Sequence, residues 1–445
     1  MVKRSVDRRD FLKGAAVTGA AALVPGTVAA AAEAPQAAPP AQAPATAPTP
    51  PRETDPAGGV EAITTDRPGG DFMVDILKSL NFEYIASNPG SSFRGIHESI
   101  INYGGNTMPE FITCCHEESS VAMAQAYFKA EGKPMAVLCH GTVGLQHAAM
   151  AIYNAYCDRV PVFILAGNTL DATMRRPGVE WAHSVQDAAS MVRDFIKWDD
   201  NPGSLPHFAE SAVRAYKIAL TSPMMPVLVV IDGGLQEDPI PSEVASRLRV
   251  PKLTTATPPQ GDSGAVAEAA RLLVNAQNPV IVADRAARTP GAIAKLVELA
   301  EAIQAPVIDQ HGRMNFPSKH PLNQSESAGQ LIANADVILG LELTDFWGTV
   351  SAFRDALHRT SRSRIKAGTR LISITAVDLF SKSNFQDFQR YPEVDVAMAA
   401  DAEATLPALT EACRKLVTDD RRRAFGERRQ RLTEAHARAH AAART

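Results

Sequence analysis

Three places in the first half of the chain carry side chains able to move protons. They are His116-Glu117-Glu118, His140, and Ser91 in the turn Ser87-Asn88-Pro89-Gly90-Ser91-Ser92. Glu117 opens an Ala-rich segment expected to be a buried helix. Burial disfavours its charge and a helix N-terminus favours it. A carboxylate balanced in that way suits proton exchange with a bound base. A simple first-turn acid has the same sequence signature, and Glu118, which should face elsewhere, fits that role better. His140 and His116 can each be a satisfied core histidine, and Ser91 can be no more than a helix cap. Their common position, just past the ends of apolar strands, sets them apart as a group. Other chemistries lack their patterns. No paired His/Cys/Asp spacing supports a zinc cluster, so no metal site is expected. There is no G-x-S-x-G elbow and no G-x-G-x-x-G turn.

The elements that must position these groups run from Glu110 to Asn168 as strand, helix, strand, helix, strand. EFITCC is β-rich. The segment from Glu117 to about Ala130 is apolar nearly all round, which predicts a helix buried on every side. Gly132 and Pro134 stop it. MAVLC is the next strand, HGTVG turns the chain, LQHAAMAIYNAYCD is a helix and PVFILAG a strand. Two consecutive βαβ crossovers predict a parallel sheet, and such sheets bind ligands beyond the carboxyl ends of their strands. Upstream, EYIAS is a strand that delivers the Ser87–Ser92 turn. Downstream, a polar stretch of helix and loop leads to a helix from about Phe208 to Leu220 and the strand of PVLVVID.

A second α/β unit follows, with strands in NPVIVAD, APVIDQ, LIANADVILGLEL and TRLISITA. Its strand ends carry Asp284, Arg285, Gln310, His311 and Glu342. The expected fold class is α/β, with two doubly wound parallel-sheet domains. Residues 67–240 form the first domain, 241–260 a linker, 261–415 a Rossmann-like central domain, and 416–445 a charged helical tail. Acidic residues interleave the basic ones in that tail, which predicts a solvated or connecting helix rather than a nucleic-acid arm.

The 445 residues carry a formal charge of −4, which gives no electrostatic case for nucleic acid. Residues 1–34 form a twin-arginine signal, with Arg8-Arg9-Asp10-Phe11-Leu12-Lys13, a Gly/Ala-rich run and Ala-x-Ala cleavage candidates. Export to the periplasm and no membrane span after signal removal are expected. Residues 35–66 are Pro/Ala-rich and predict a linker. The cysteines are Cys114, Cys115, Cys139, Cys157 and Cys413, an odd set without a disulfide framework. Cys114, Cys115 and Cys139 are expected to be buried thiols.

HEESSVAMAQAYFKAEGKP resembles the motif around the activating glutamate of thiamine-diphosphate-dependent enzymes. The group in question contains acetolactate synthase, pyruvate decarboxylase and benzoylformate decarboxylase. The resemblance continues through SNPGSS, the GTVG turn with Gly144, NAYCDRVPVFILAGN and PVLVVIDGG. It implies a pyrimidine-binding domain followed by that family's central domain. By position, Glu117 falls on the glutamate that hydrogen-bonds the cofactor's aminopyrimidine and favours the imino tautomer that deprotonates the thiazolium. Asn88, Pro89, Gly90 and Ser91 match the turn whose serine contacts the substrate carboxylate in benzoylformate decarboxylases. His140 falls on a proton-transferring histidine of that same branch. The implied activity is decarboxylation or carboligation of a small 2-oxo acid with thiamine diphosphate, in a homo- or hetero-oligomer.

The sequence also departs from the family pattern. It contains no Gly-Asp-Gly followed by Asn-Asn, the mark of the C-terminal domain that grips the diphosphate through Mg²⁺. That domain is expected to be missing, with Mg²⁺ coming only from it. A split enzyme with a partner chain, a fragment, and a non-catalytic binding or scaffold subunit all fit this pattern. Ala283-Asp284-Arg285 stands where acetolactate synthases often approach FAD with glycines, so FAD is not supported.

Overall fold

The computed structural model describes residues 66–353, 357, 360–379 and 386–442. The signal and nearly all of the first linker lie outside the described residues. The first sheet contains β1 (Tyr84–Ser87), β2 (Glu110–Thr113), β3 (Ala136–Cys139), β4 (Phe163–Asn168), β5 (Trp198–Asp200) and β6 (Val227–Asp232), in the order β2-β1-β3-β4-β6-β5. All its pairings are parallel. The second domain contributes β7 (Pro279–Ala283), β8 (Val307–Asp309), β9 (Val337–Leu341), a small antiparallel hairpin of β10 (Ser351–Phe353) and β11 (Ser361–Ser363), then β12 (Arg370–Ile374) and β13 (Val396–Met398). Its sheet runs β13-β12-β9-β7-β8, again all parallel. Counted from its own first strand, each sheet begins second-first-third-fourth. The domains thus share a topology although the sequence has no repeat.

Strand alternation explains the double winding. In the first sheet Ile85, Ala136, Leu138, Phe163, Leu165, Val227 and Val229 face one core, with Phe72 and Leu77 of α1 (Gly69–Ser79). Their neighbours Ala86, Val137, Cys139, Ile164, Ala166, Leu228 and Val230 face the other. That second core is closed by Val121 and Phe128 of α2 (Glu117–Glu131) and Leu145 and Ile152 of α3 (Thr142–Cys157). The first core is completed by α4 (Leu205–Leu220), whose N-cap Ser204 accepts from His207 N–H. The second domain repeats the scheme with α5 (Ser263–Asn275), α6 (Gly291–Ile303) and α7 (Ala402–Leu416) on one face of its sheet.

Several expectations need correction. α2 is not buried all round: Val121, Ala124 and Phe128 are buried, whereas Ala122, Met123, Ala126 and Ala130 are exposed. It packs on one sheet face and on α3, and its alanines let it sit close without making its outer face apolar enough to demand cover. Pairing of β2 with β1 ends at Thr113, so Cys114 is buried but Cys115, one residue further on, is exposed. The short strand β5 has no sequence signal, because Trp198-Asp199-Asp200 is a polar, half-buried edge. The charged tail helix α8 (Asp419–Ala442) is also docked, by buried Phe425 and Arg428. Arg428 donates to the carbonyls of Ile303 at 2.8 Å and of Ala276 and Gln277 at 3.0 Å. These close the C-terminal ends of α6 and α5, where a cation is favoured. No helix among the described residues is long and apolar enough to cross a membrane.

Candidate active site

β2, β1 and β3 are adjacent, and the strand order reverses at β1 and β3. Open parallel sheets leave a crevice at such a switch point. Into it come the residues after β2 (His116, Glu117), after β1 (Asn88 to Ser92) and after β3 (His140).

Glu117 is the first residue of α2 and only 2% exposed. His116 is its N-cap: the backbone is extended there and Nδ1 accepts the Glu118 N–H at 3.2 Å. The hydrogen-bond partner of the Glu117 carboxylate among the described residues is His147 of α3, whose Nδ1 lies 3.3 Å from Oε2. Oε1 faces Gly144, where a Cβ would stand 2.9 Å from it, so glycine there leaves the carboxylate its space. A carboxylate this buried ordinarily takes several donors. Glu117 keeps acceptor capacity in reserve, directed at the crevice side of a helix N-terminus.

His147 also stacks on His116, with ring centroids 4.7 Å apart and planes at 18°. Donor atoms of His116, Glu117 and His147 lie within 4.8 Å of one another. These are ligand types a transition metal accepts. Of these atoms, the His116 Nδ1 accepts the Glu118 N–H and the His147 Nδ1 bonds the Glu117 carboxylate. Spacing along the chain hides this grouping, because the start of α2 and the second turn of α3 meet only in the fold.

His140 is half-buried. Its Nδ1 lies 2.9 Å from Ser92 Oγ and 3.1 Å from the Gly141 N–H. A backbone N–H only donates, so Nδ1 is the accepting nitrogen and Nε2 carries the proton of the neutral ring. Burial, with the charge of His183 in second place, pushes the imidazole down to about 4, and Glu117 opposes the shift. The ring is therefore neutral near pH 7 and presents an N–H donor. Gly90 allows its approach: a Cβ there would stand 2.5 Å from His140 Cδ2. Thr142, at the start of α3 and two residues after His140, has a buried hydroxyl without a hydrogen-bond partner among the described residues.

The fold thus brings Glu117, Gly144, His140 and the Asn88–Ser91 turn to one end of one sheet. Pro89 is exposed at the turn, while Asn88, Gly90 and Ser91 are half-buried. Ser91 opens a short 3₁₀ turn, and it is Ser92, not singled out by the sequence, that bonds His140. His147 and His183 were likewise not legible. A carboxylate with spare acceptor capacity, a glycine-cleared space and a neutral imidazole N–H fit a flat heteroaromatic ring whose N–H donates a hydrogen bond to the carboxylate.

Residues 67–190 match the model of the thiamine pyrophosphate enzyme N-terminal TPP binding domain, and residues 266–409 that of the thiamine pyrophosphate enzyme central domain. Residues 5–25 match the twin-arginine translocation pathway signal sequence, which supports export by that route. The chain is 28% identical to sulfoacetaldehyde acetyltransferase of Roseovarius nubinhibens over 247 residues, covering 52% of this chain and 38% of that protein. It is 27% identical to the acetolactate synthase large subunit of Haemophilus influenzae over 286 residues, covering 61% and 48%. The chain spans half or less of the length of these curated relatives. The crystal structure of benzoylformate decarboxylase from Polynucleobacter necessarius superposes with a TM-score of 0.63 at 22% identity, covering 78% of this chain and 61% of that one, a likeness of fold. The two domain matches together take in more than half of the chain, and through its N-terminal cofactor-binding domain and its central domain it belongs to the thiamine-diphosphate-dependent enzyme family.

Proposed function

We propose that this protein is a thiamine-diphosphate-binding component of a 2-oxo-acid decarboxylase or carboligase, exported to the periplasm. The observation that carries the proposal is Glu117: a nearly fully buried carboxylate, at a helix N-terminus, with one long hydrogen bond among the described residues. Glu117 would hold the aminopyrimidine by accepting its ring N–H, with Gly144 giving the ring room. When bound, thiamine diphosphate supplies an acidic thiazolium C–H and an electron sink for decarboxylation. The neutral His140, backed by Ser92, donates through Nε2 to an oxygen of the substrate, and Asn88 to Ser91 shape the wall on which the carboxylate of a small 2-oxo acid lies. The diphosphate and its Mg²⁺ are assigned to a diphosphate-binding domain, supplied by a partner chain or by further sequence, within a homo- or hetero-oligomer. FAD is not assigned. Asp284, just past β7, is engaged by the Thr344 N–H at 3.0 Å and by Arg285 at 2.6 Å, which supports a structural role for that strand end.

The test is to combine the full chain with its diphosphate-binding domain, thiamine diphosphate and Mg²⁺, and to follow CO₂ release from pyruvate and benzoylformate. Glu117→Gln is expected to lower turnover by about a hundredfold or more, in the range of a lost acid–base group. Unchanged turnover would remove Glu117 from the chemistry. Tight cofactor binding with no turnover of any 2-oxo acid would favour a non-catalytic binding subunit.

A further inference from the structure

We propose that His183 is a positioning residue for His140: its ring lies tilted against the imidazole, from the segment after β4 that covers Gly141, and orients it. This rests on the reading of His140 as a site residue.

The geometry is specific. The His183 ring lies 4.5 Å from that of His140, with planes at 34°. Its Nδ1 is 2.5 Å from the Val179 carbonyl. A carbonyl only accepts, so Nδ1 carries the proton and Nε2 of the neutral ring is bare. The two histidines therefore hold opposite tautomers, each fixed by backbone.

The segment is also fastened. Asn168, the last residue of β4, accepts from the Val185 N–H at 3.2 Å and donates to the Val185 carbonyl at 3.0 Å. Ser184 donates to Glu180 at 2.5 Å. A Cβ at Gly141 would stand 2.3 Å from the His183 carbonyl oxygen, so the segment lies directly on the turn that carries His140. The ring contact is made by two elements held against one another.

A positive charge on either ring opposes one on the other at this separation. The other groups bearing on His140 are Glu117 from α2, which favours its protonation, and Arg176 and Glu180 from the segment itself, which act in opposite senses and are paired at 3.0 Å. Ser92 faces it from the β1 side with an uncharged hydroxyl. Replacing His183 by a side chain that takes no charge should therefore raise the proton affinity of His140.

The experiment uses the full chain labelled with ¹⁵N-histidine, without cofactor or substrate, and reads tautomers and titrations from long-range ¹H–¹⁵N spectra. His140→Gln and His183→Gln assign the signals. The expected parent has His140 as the Nε2–H tautomer and His183 as the Nδ1–H tautomer. In both His183→Gln and His183→Phe the His140 midpoint should move up towards the ordinary imidazole range. His183→Phe, which keeps an aromatic ring there, should retain the His140 tautomer. A His140 midpoint unmoved in both variants, or a His183 in the Nε2–H form, would overturn the proposal. An unfolding midpoint like that of the parent separates these outcomes from misfolding. Because no cofactor enters the measurement, failure of the thiamine reading leaves this result interpretable. A failed coupling likewise leaves the Glu117 test intact.

Discussion

The carboxyl ends of the two sheets make an instructive pair. Both domains have the same initial strand order, and both place buried acids just beyond their strands. In the second domain those acids are saturated. Glu342, after β9, takes Arg159 at 2.6 Å, Thr375 at 3.1 Å and the N–H groups of Ala376 and Ala402 at 3.0 to 3.2 Å. Asp309, at the end of β8, takes the N–H groups of His311, Asn315 and Phe316 and the Asn315 side chain. In the first domain Glu117 has His147 at 3.3 Å. Burial of a carboxylate is costly unless hydrogen bonds compensate for it. The second set therefore accounts for itself as structure, and Glu117 does not. Position past a strand is common to both ends; what distinguishes the end proposed as the site is acceptor capacity left open among the described residues.

The largest effect on stability should come from breaking the saturated end. Arg159 follows α3 of the first domain and Glu342 follows β9 of the second, so their bond joins the two domains. Burial pushes the Glu342 carboxyl up and the Arg159 guanidinium down, and each group's charge opposes the other's shift. Glu342→Gln strands the arginine charge in the interface and is expected to cost about 3–5 kcal/mol in urea unfolding. A loss below about 1 kcal/mol would mean that the saturated end is not structural in the sense drawn here. Glu117→Gln should do the opposite. It keeps the shape and removes a poorly compensated charge, so its unfolding free energy should stay within about 1 kcal/mol of the parent. A loss as large as that of Glu342→Gln would erase the contrast between the two ends.

Much of the fold was legible because its strands are short continuous apolar runs separated by helical segments. Fully buried parallel strands have that composition. The edge strand β5 escaped because Trp198-Asp199-Asp200 has neither an apolar run nor alternation, and only its partner β6 defines it. The docking of α8 escaped because one buried arginine among many exposed ones leaves no periodic trace. At the site, Glu117 and His140 were visible from residue type and placement after strands. His147, His183 and Ser92 were not, because each is defined by what it touches across the fold: a carboxylate on another helix, a ring on another loop, a neighbouring turn. Sequence marks candidate groups by type and placement, whereas their partners are set by tertiary contact.

The most direct test of the central claim is the rate of deuterium exchange at the thiazolium C2 of bound thiamine diphosphate, measured in the assembled protein with and without Glu117→Gln. If the reserved carboxylate of Glu117 activates the cofactor, exchange in the variant should fall by about a hundredfold or more while the protein remains folded and the cofactor bound. Exchange at the parental rate in a folded, cofactor-bound variant would contradict the account.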